Sequence, residues 1–520
     1  MKSSDGHGMN ETSDQGISFG RRIAELAAAH PDGPAIIFAP RSGPPERILT
    51  WRDLDRDSNR VARLLEARGL GQGRMLVVAL HNCPEHMVAT IAGWKLGACV
   101  LPLSPSLPTR ERDQLLEISA PAIAIGEWAD LPELPLVRLE ELRSLDAYSD
   151  APLPDRVSHP GKAIGTGGST GRSKVIIEPN PWVKVPGHAI GDLGDVVGFR
   201  PGQVQLCMTR LYHNMPYSWG HSGLFDGHTI VLMEHFDPDY AVDLIERYRV
   251  QFIQTVPICM QRIARLPDIA RRDFSSVESV FHSGAPCPPW VKRAWIDLVG
   301  AEKLWEGFGG AEATGGTMIR GDDWLAHPGT VGTAFHCEVR ILDEDLRELP
   351  LGVVGEIFTR LLVQRPTFEY IGSPPPKNTS DGFVSLGDLG WLDDQGYLHH
   401  ADRRVDLIIT GGANVYPAEV EAALTEHPSV VDLAIIPVAD EEWGRRVHAI
   451  VQPLDPAHPP SVEELDHHCR ERLVSYKCPK SYEFMTELPR DPSGKIRRSA
   501  LAAERDQGWT AQMLPVKSGH

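Results

Sequence analysis

From Phe19 to about Pro102, apolar residues recur first at helical spacing, in GRRIAELAAAH and DLDRDSNRVARLLEARGL, and then in short unbroken runs, RMLVVAL and ACVLPL. Amphipathic helices alternating with fully apolar strands predict a parallel sheet with crossover helices. A second alternation runs from Val204 to Val280: HTIVLM, DYAVDLIERYR, FIQTVP, a helix through MQRIARL, and SVESVFHSG. The fold class is therefore α/β, with two similar-sized units. After Gly329 the pattern changes to short strands and turns (CEVRILDEDLRELP, VGEIFTRLL, GYLHHADR) with no long helix before Ala418, which predicts a small β-rich subdomain. From about Asp406, strand and helix patterns alternate again through YPAEVEAALTEHP, VVDLAIIPV, RRVHAIVQPL and SVEELDHHCRERL. That segment, roughly 110 residues, is long enough to form a domain of its own.

Composition narrows the function. The 520 residues carry 52 basic and 70 acidic side chains, a formal charge of −18. Non-specific attraction to nucleic acid or an anionic membrane is disfavoured, and a small-molecule substrate is the default expectation. The first sixteen residues lack the apolar core of a secretory signal, and no stretch approaches the ~20 apolar residues of a membrane helix, which predicts a cytoplasmic protein without a membrane partner. Eight scattered cysteines form no CxxC pair and no metal-ligand cluster, so they read as reduced packing residues.

The chemistry concentrates in AIGTGGSTGRSKVII, residues 163–177. Gly165, Gly167, Gly168 and Gly171 let backbone amides turn toward an anion. Thr166, Ser169 and Thr170 add hydroxyl donors, and Lys174 adds charge. It is neither a Walker A sequence nor GxGxxG, and strand-like residues flank it on both sides where those motifs need a following helix.

TGGSTGRSK resembles the TSGTTGxPK phosphate loop of the adenylate-forming superfamily: acyl-CoA synthetases, peptide-synthetase adenylation domains and luciferases. Further resemblances follow in the family's order. SGAPCP (283–288) is similar to its adenine-binding turn, EGFGGAE (306–312) to YGxTE, and SLGDLGWLDDQGYL (385–398) to the TGD motif. ADRRVDLIITGGANVYPAEVE (401–421) resembles the hinge, and PRDPSGKIRR (489–498) the closing lysine motif. The resemblance implies a disordered N-terminus, 1–16. Behind it stand a large N-terminal domain, 17–403, of two flavodoxin-like α/β subdomains plus the β-rich one, and a small mobile α+β C-terminal domain, 404–520.

It also implies a carboxylate–CoA ligase that uses ATP, Mg2+ and coenzyme A. Attack of a carboxylate on the α-phosphate turns its oxygen into a good leaving group, and catalysis is then positioning and charge stabilisation. Glu312 would hold the magnesium ion. Gly284, Ala285, Pro286, Gly307, Phe308 and Gly309 would surround the nucleotide, Asp388, in a Gly-Asp turn, would accept its ribose hydroxyls, and Arg403 would face ribose and phosphate. Lys495 would swing onto the α-phosphate and carboxylate oxygens. For the thioester step a pantetheine tunnel would open beside Gly411 and Gly412. Trp443 and Lys480 either meet the nucleotide of coenzyme A or are a packing tryptophan and a solvated lysine.

The acyl pocket would be lined by His213, as gate or as a core histidine, with Met215, Trp219, Gly310, Gly315 and Gly316. No acidic residue occupies Thr209–His221, so nothing there would bind a substrate ammonium, and Met215, Tyr217, Trp219 and Met260 point to an apolar acid. The wording is most similar to aryl-acid and bile-acid or steroid-carboxylate CoA ligases.

Three residues depart from the family pattern. Ala311 stands for the motif threonine, Val405 for the hinge aspartate or lysine, and Ser173 for the proline before the loop lysine. They open a second reading, in which the chain performs mainly the thioester half-reaction on an acyl-adenylate supplied by a partner enzyme. A free-standing adenylation protein loading a carrier, a non-catalytic binder, and a homodimeric assembly also remain open.

Overall fold

A computed structural model describes residues 16–43, 45–129, 131, 133–167, 173–363, 367–490, 496–506 and 514–515. The chain divides into two units, one made chiefly of the first 254 residues and one of most of the remainder.

The first unit holds the first predicted alternation and the second as far as Gln254. Its seven-stranded sheet runs in the order Glu369–Ile371, Ser173–Glu178, Lys162–Gly167, Cys99–Pro102, Met75–Ala79, Ile123–Gly126, Leu136–Val137. The inner strands pair in parallel, and an antiparallel hairpin closes one side. The strands Phe252–Thr255, Val204–Cys207, Thr229–Met233 and Pro34–Ala39 also run parallel in sequence of pairing. Their near-continuous apolar runs are buried on both faces, as parallel strands covered by helices must be. The helix Trp51–Ala67 starts where Thr50 and Asp53 form a reciprocal capping box, which satisfies two of the backbone N–H groups left over at a helix start. Its apolar stripe, from Leu54 through Val61 to Leu65, joins the core with Trp94 and Phe225.

Two histidines in this core, His86 and His221, are fully desolvated against Tyr217 and Trp94. Burial pushes His86 down to about 3 and His221 down to about 4. His221 Nδ1 donates to the Tyr217 carbonyl at 2.7 Å, so the ring is held in a neutral tautomer. An unfolded histidine titrates near 6.5. Below that value the unfolded chain binds protons that the folded one refuses, so stability present above pH 6.5 is lost as the pH falls toward 4. Going from pH 7 to pH 5 is expected to cost about 2 kcal/mol for each of the two. Urea denaturation at both pH values checks this, with His86→Met reducing the loss.

The second unit contains the antiparallel half. Strands Ser279–His282 and Leu304–Gly309 pair in parallel, and Gly316–Arg320 and Thr333–Phe335 continue antiparallel. A four-stranded meander follows: Cys337–Leu342, Gly355–Leu361, Val384–Leu392, Leu398–Arg403. The last part has the ribbon Ile408–Thr410/Ala413–Val415 and the sheet Val430–Asp440, Gly444–Pro453, Ser481–Phe484, Leu514–Pro515, packed by helices Pro417–Leu424 and Val462–Arg470. All eight cysteines are free thiols, and seven are buried. Among the described residues no helix is long and apolar enough to cross a membrane.

Candidate active site

In the first unit, the described ends of the predicted phosphate loop lie on two antiparallel strands. Thr166 pairs with Lys174 and Gly167 with Ser173 at the top of the Lys162–Gly167 and Ser173–Glu178 strands. Gly168, Ser169, Thr170 and Gly171 lie outside the described residues. The Lys174 ammonium stands 3.8 Å above the Tyr370 ring. Tyr370 comes from a strand nearly two hundred positions later, a contact with no signature in the loop motif.

The helix Asn214–Phe225 carries the predicted acyl-pocket residues of this unit. His213 is its N-cap residue without making a side-chain cap bond, and its ring meets Tyr212 edge-on at 4.8 Å. Met215 Sδ accepts from Gln254 Nε2 at 3.3 Å. Trp219 is buried, stacked on Phe252 at 5.3 Å and edge-on to Phe199 at 5.4 Å.

In the second unit, three predicted residues, Phe308, Asp388 and Arg403, converge around His400. Phe308 is the penultimate residue of the Leu304–Gly309 strand, and its ring centroid lies 5.1 Å from that of His400. His400 Nε2 donates to Asp388 Oδ1 at 3.3 Å, and Arg403 Nε lies 3.5 Å from the same oxygen. Asp388 is not in a turn, as its Gly-Asp neighbourhood suggested, but inside the Val384–Leu392 strand. The register there jumps: Phe358 faces Ser385 while Glu356 faces Leu389. The strand is bulged, with Gly387 at φ 86, and a bulge re-aims a side chain out of the regular ladder. His400 was missed because an alternating strand, GYLHHADR, marks no position as special.

Glu312 sits in the turn after this strand end and is buried, at 7% exposure. A Cβ on Gly310 would come 2.7 Å from Glu312 Oε2 and 2.4 Å from Leu386, so a larger residue there would push the carboxylate or the leucine aside. Ala313 next to it adopts φ 52. A left-handed non-glycine residue costs roughly 1–2 kcal/mol, and such strain gathers at functional loops. Gly316 N donates to Cys337 Sγ at 3.3 Å, which ties the Gly315–Gly316 segment to the meander. Gly284, Ala285 and Pro286 come one residue after the Ser279–His282 strand, the parallel neighbour of Leu304–Gly309.

The AMP-binding enzyme description matches residues 23–361, and its C-terminal domain matches 419–495. The chain belongs to the AMP-binding enzyme family. A feruloyl-CoA synthase of Amycolatopsis sp is 32% identical over 87% of this chain and 93% of that protein. A fatty acid–[acyl-carrier-protein] ligase of Streptomyces coeruleorubidus is 29% identical over 89% and 92%. The o-succinylbenzoate CoA synthetase of Bacillus subtilis, solved with its acyl-adenylate, superposes with a TM-score of 0.78 at 25% identity, covering 94% of this chain and 98% of that one. The two-sheet α/β architecture with a small C-terminal domain is that of these AMP-binding enzymes.

The residues present fit the groups such an enzyme uses. A buried carboxylate is a hard oxygen donor suited to Mg2+. Among the described residues no cluster of three His, Cys, Asp or Glu stands ready to enclose a metal, so an ion on Glu312 would take its other ligands from phosphate and water. Toward coenzyme A, the Gly411 N–H donates to the Trp443 carbonyl at 3.0 Å, and Trp443 is 43% exposed. Gly412 has open space where a Cβ would be. Lys480 is placed at the start of the Ser481–Phe484 strand, its ammonium donating to the Ser475 carbonyl at 3.2 Å. Lys495 lies outside the described residues.

Proposed function

We propose that this enzyme activates an apolar, aryl-type carboxylic acid as its acyl-adenylate and passes the acyl group to coenzyme A. The chain is an AMP-forming acid–thiol ligase that uses ATP, Mg2+ and coenzyme A. The acid class is the proposal, and the Asn214–Phe225 helix carries it. Met215 and Trp219 stand one turn apart beside Gln254 and Phe252, and no carboxylate occupies Thr209–His221 to receive a substrate ammonium. The likeness to a feruloyl-CoA synthase supports an aryl acid over an amino acid.

In the first step the acid's carboxylate oxygen attacks the α-phosphorus and pyrophosphate leaves. The hairpin bearing Thr166 and Lys174 holds the phosphates, and Lys495 stabilises the charge that develops. Glu312 would hold a magnesium ion, which would supply further neutralisation of phosphate oxygens. Asp388, held by His400 and Arg403, accepts the ribose hydroxyls, with Phe308 and the Gly284–Pro286 turn beside the base. In the second step a thiol attacks the carbonyl carbon and AMP leaves, the thiol entering beside Gly411 and Gly412. His213 acts as the gate of the acyl pocket.

The test is incubation with ATP, Mg2+, coenzyme A and a panel of aryl, fatty and polycyclic acids, read as acyl-CoA mass. Aryl acids should give the product, and a panel with no thioester sinks the proposal. The carrier-protein ligase among the relatives supports a second acceptor, and acylation of a phosphopantetheinyl carrier in place of coenzyme A would favour it.

Ala311 bears on the balance between the half-reactions. A hydrogen bond to a charged group contributes about 1.5 kcal/mol at the lower end, or roughly tenfold in rate when felt only in the transition state. Ala311→Thr is therefore expected to raise pyrophosphate exchange about tenfold and leave thioester formation from supplied acyl-adenylate unchanged.

A further inference from the structure

Lys162 begins the strand that leads into the phosphate loop, and the loop motif gives no reason for a cation there. Its cross-strand partner is Glu178, whose Oε2 lies 3.2 Å from the ammonium. The side chain is 12% exposed and its ammonium lies 5.5 Å from the Trp182 ring centroid. The ammonium also donates to Asn214 Oδ1 at 3.2 Å and to Ser218 Oγ at 3.3 Å. A lysine has three N–H donors, and here three acceptors on two elements meet them.

Asn214 and Ser218 are one turn apart on one face of the helix that carries Met215 and Trp219 and that His213 opens. That helix starts without a side-chain cap. Its first backbone N–H groups lie at the positive end of the helix dipole, where a cation is unfavourable unless acceptors hold it. The side-chain oxygens of Asn214 and Ser218 do so, and Glu178 balances the charge. The strand, by contrast, is secured by backbone pairing to Ser173–Glu178 on one side and by its pairing with Cys99–Pro102 on the other. If the ammonium is removed, the first helical turn is the part free to shift.

We propose that Lys162 is a positioning residue for acid recognition: it ties the first turn of the acyl-pocket helix to the phosphate hairpin and so sets affinity for the acid. The inference rests on the reading of that helix as the acyl wall. Lys162→Met is expected to raise the KM for the acid about tenfold, keep the KM for ATP within about twofold, and lower kcat by less than about threefold. Lys162→Arg, which restores a cation with several donors, should bring the acid KM back to within about threefold of the wild type. Ser218→Ala removes one acceptor without touching the charge and should raise the acid KM about threefold; it serves as the test if Lys162→Met shows no cooperative melting transition. An unchanged acid KM in either variant overturns the proposal, and so does a rise confined to the KM for ATP. A wild type that forms neither acyl-adenylate nor thioester with any acid fails differently, since it sinks the functional reading itself.

Discussion

Replacing Lys495 with alanine is expected to lower adenylation, measured as acid-dependent pyrophosphate exchange, by about a hundred- to a thousandfold. Thioester formation from supplied acyl-adenylate should change by less than about threefold. Removing one preorganised group that stabilises transition-state charge typically costs about 2.7–4 kcal/mol, which sets the range. A lysine acts on phosphate oxygens as a compact point charge, so neither alanine nor a neighbouring hydroxyl substitutes for it. The residue lies outside the described segment, but both feet of its loop are held. Arg490 and Ile496 form an antiparallel bridge across the loop base. Arg490 makes a paired contact with the Asp432 carboxylate at 2.5 Å. Arg498 pairs with Glu421 at 2.7 Å and reaches Asp406 at 3.4 Å. Burial alone would lower the Arg498 pKa, yet the surrounding carboxylates, Glu421 first, carry it above the ordinary value, so the anchor stays charged. Asp406 directly follows Val405, which is 62% exposed, so Arg498 is anchored beside the predicted hinge. Equal loss of both half-reactions would contradict a role confined to adenylation.

Gly411→Val should do the reverse: thioester formation falls about a hundredfold while pyrophosphate exchange stays within about twofold. Gly411 adopts φ 53, and a Cβ there would come 2.6 Å from Trp443 Cε3 and 3.0 Å from Cζ3. A β-branched residue at positive φ is a genuine outlier. The strain is about 1–3 kcal/mol, and the displaced indole adds to it by moving into the space beside the glycine pair. The upper part of that range corresponds to roughly a hundredfold in rate. Adding Trp443→Ala to Gly411→Val is expected to restore part of the thioester rate, because the ring is what the new side chain strikes. A double variant no faster than Gly411→Val alone would place the cause in the backbone rather than in the ring.

Much of the fold was legible because helical and alternating apolar spacings differ, and the Phe19–Pro102 and Val204–Val280 stretches display both cleanly. The hairpin that carries the predicted phosphate loop was legible for a local reason: its two strands are consecutive in the chain. Asp388 was singled out by its neighbours but assigned a turn where the structure has a strand. A Gly-Asp pair favours a turn in isolation, whereas here the partner strand Gly355–Leu361 draws the segment into a ladder and leaves a bulge. His400, Tyr370 and Lys162 went unread because each acts on an element distant in sequence. Ala313 went unread because alanine has no preference for the left-handed conformation that it is held in.

The sequence by itself determined the class of chemistry, since the short motifs that mark an AMP-binding enzyme are local stretches that stand in the family's order. It also determined the alternation of helices and strands, which rests on short-range periodicity. Only the tertiary structure decided that His400 and Arg403 brace Asp388, that Trp443 stands over Gly411, and that Lys162 joins a strand to a helix fifty residues away. Those contacts depend on strand register and helix docking, which arise from the summed burial of many apolar residues and leave no mark on any one of the residues that they bring together.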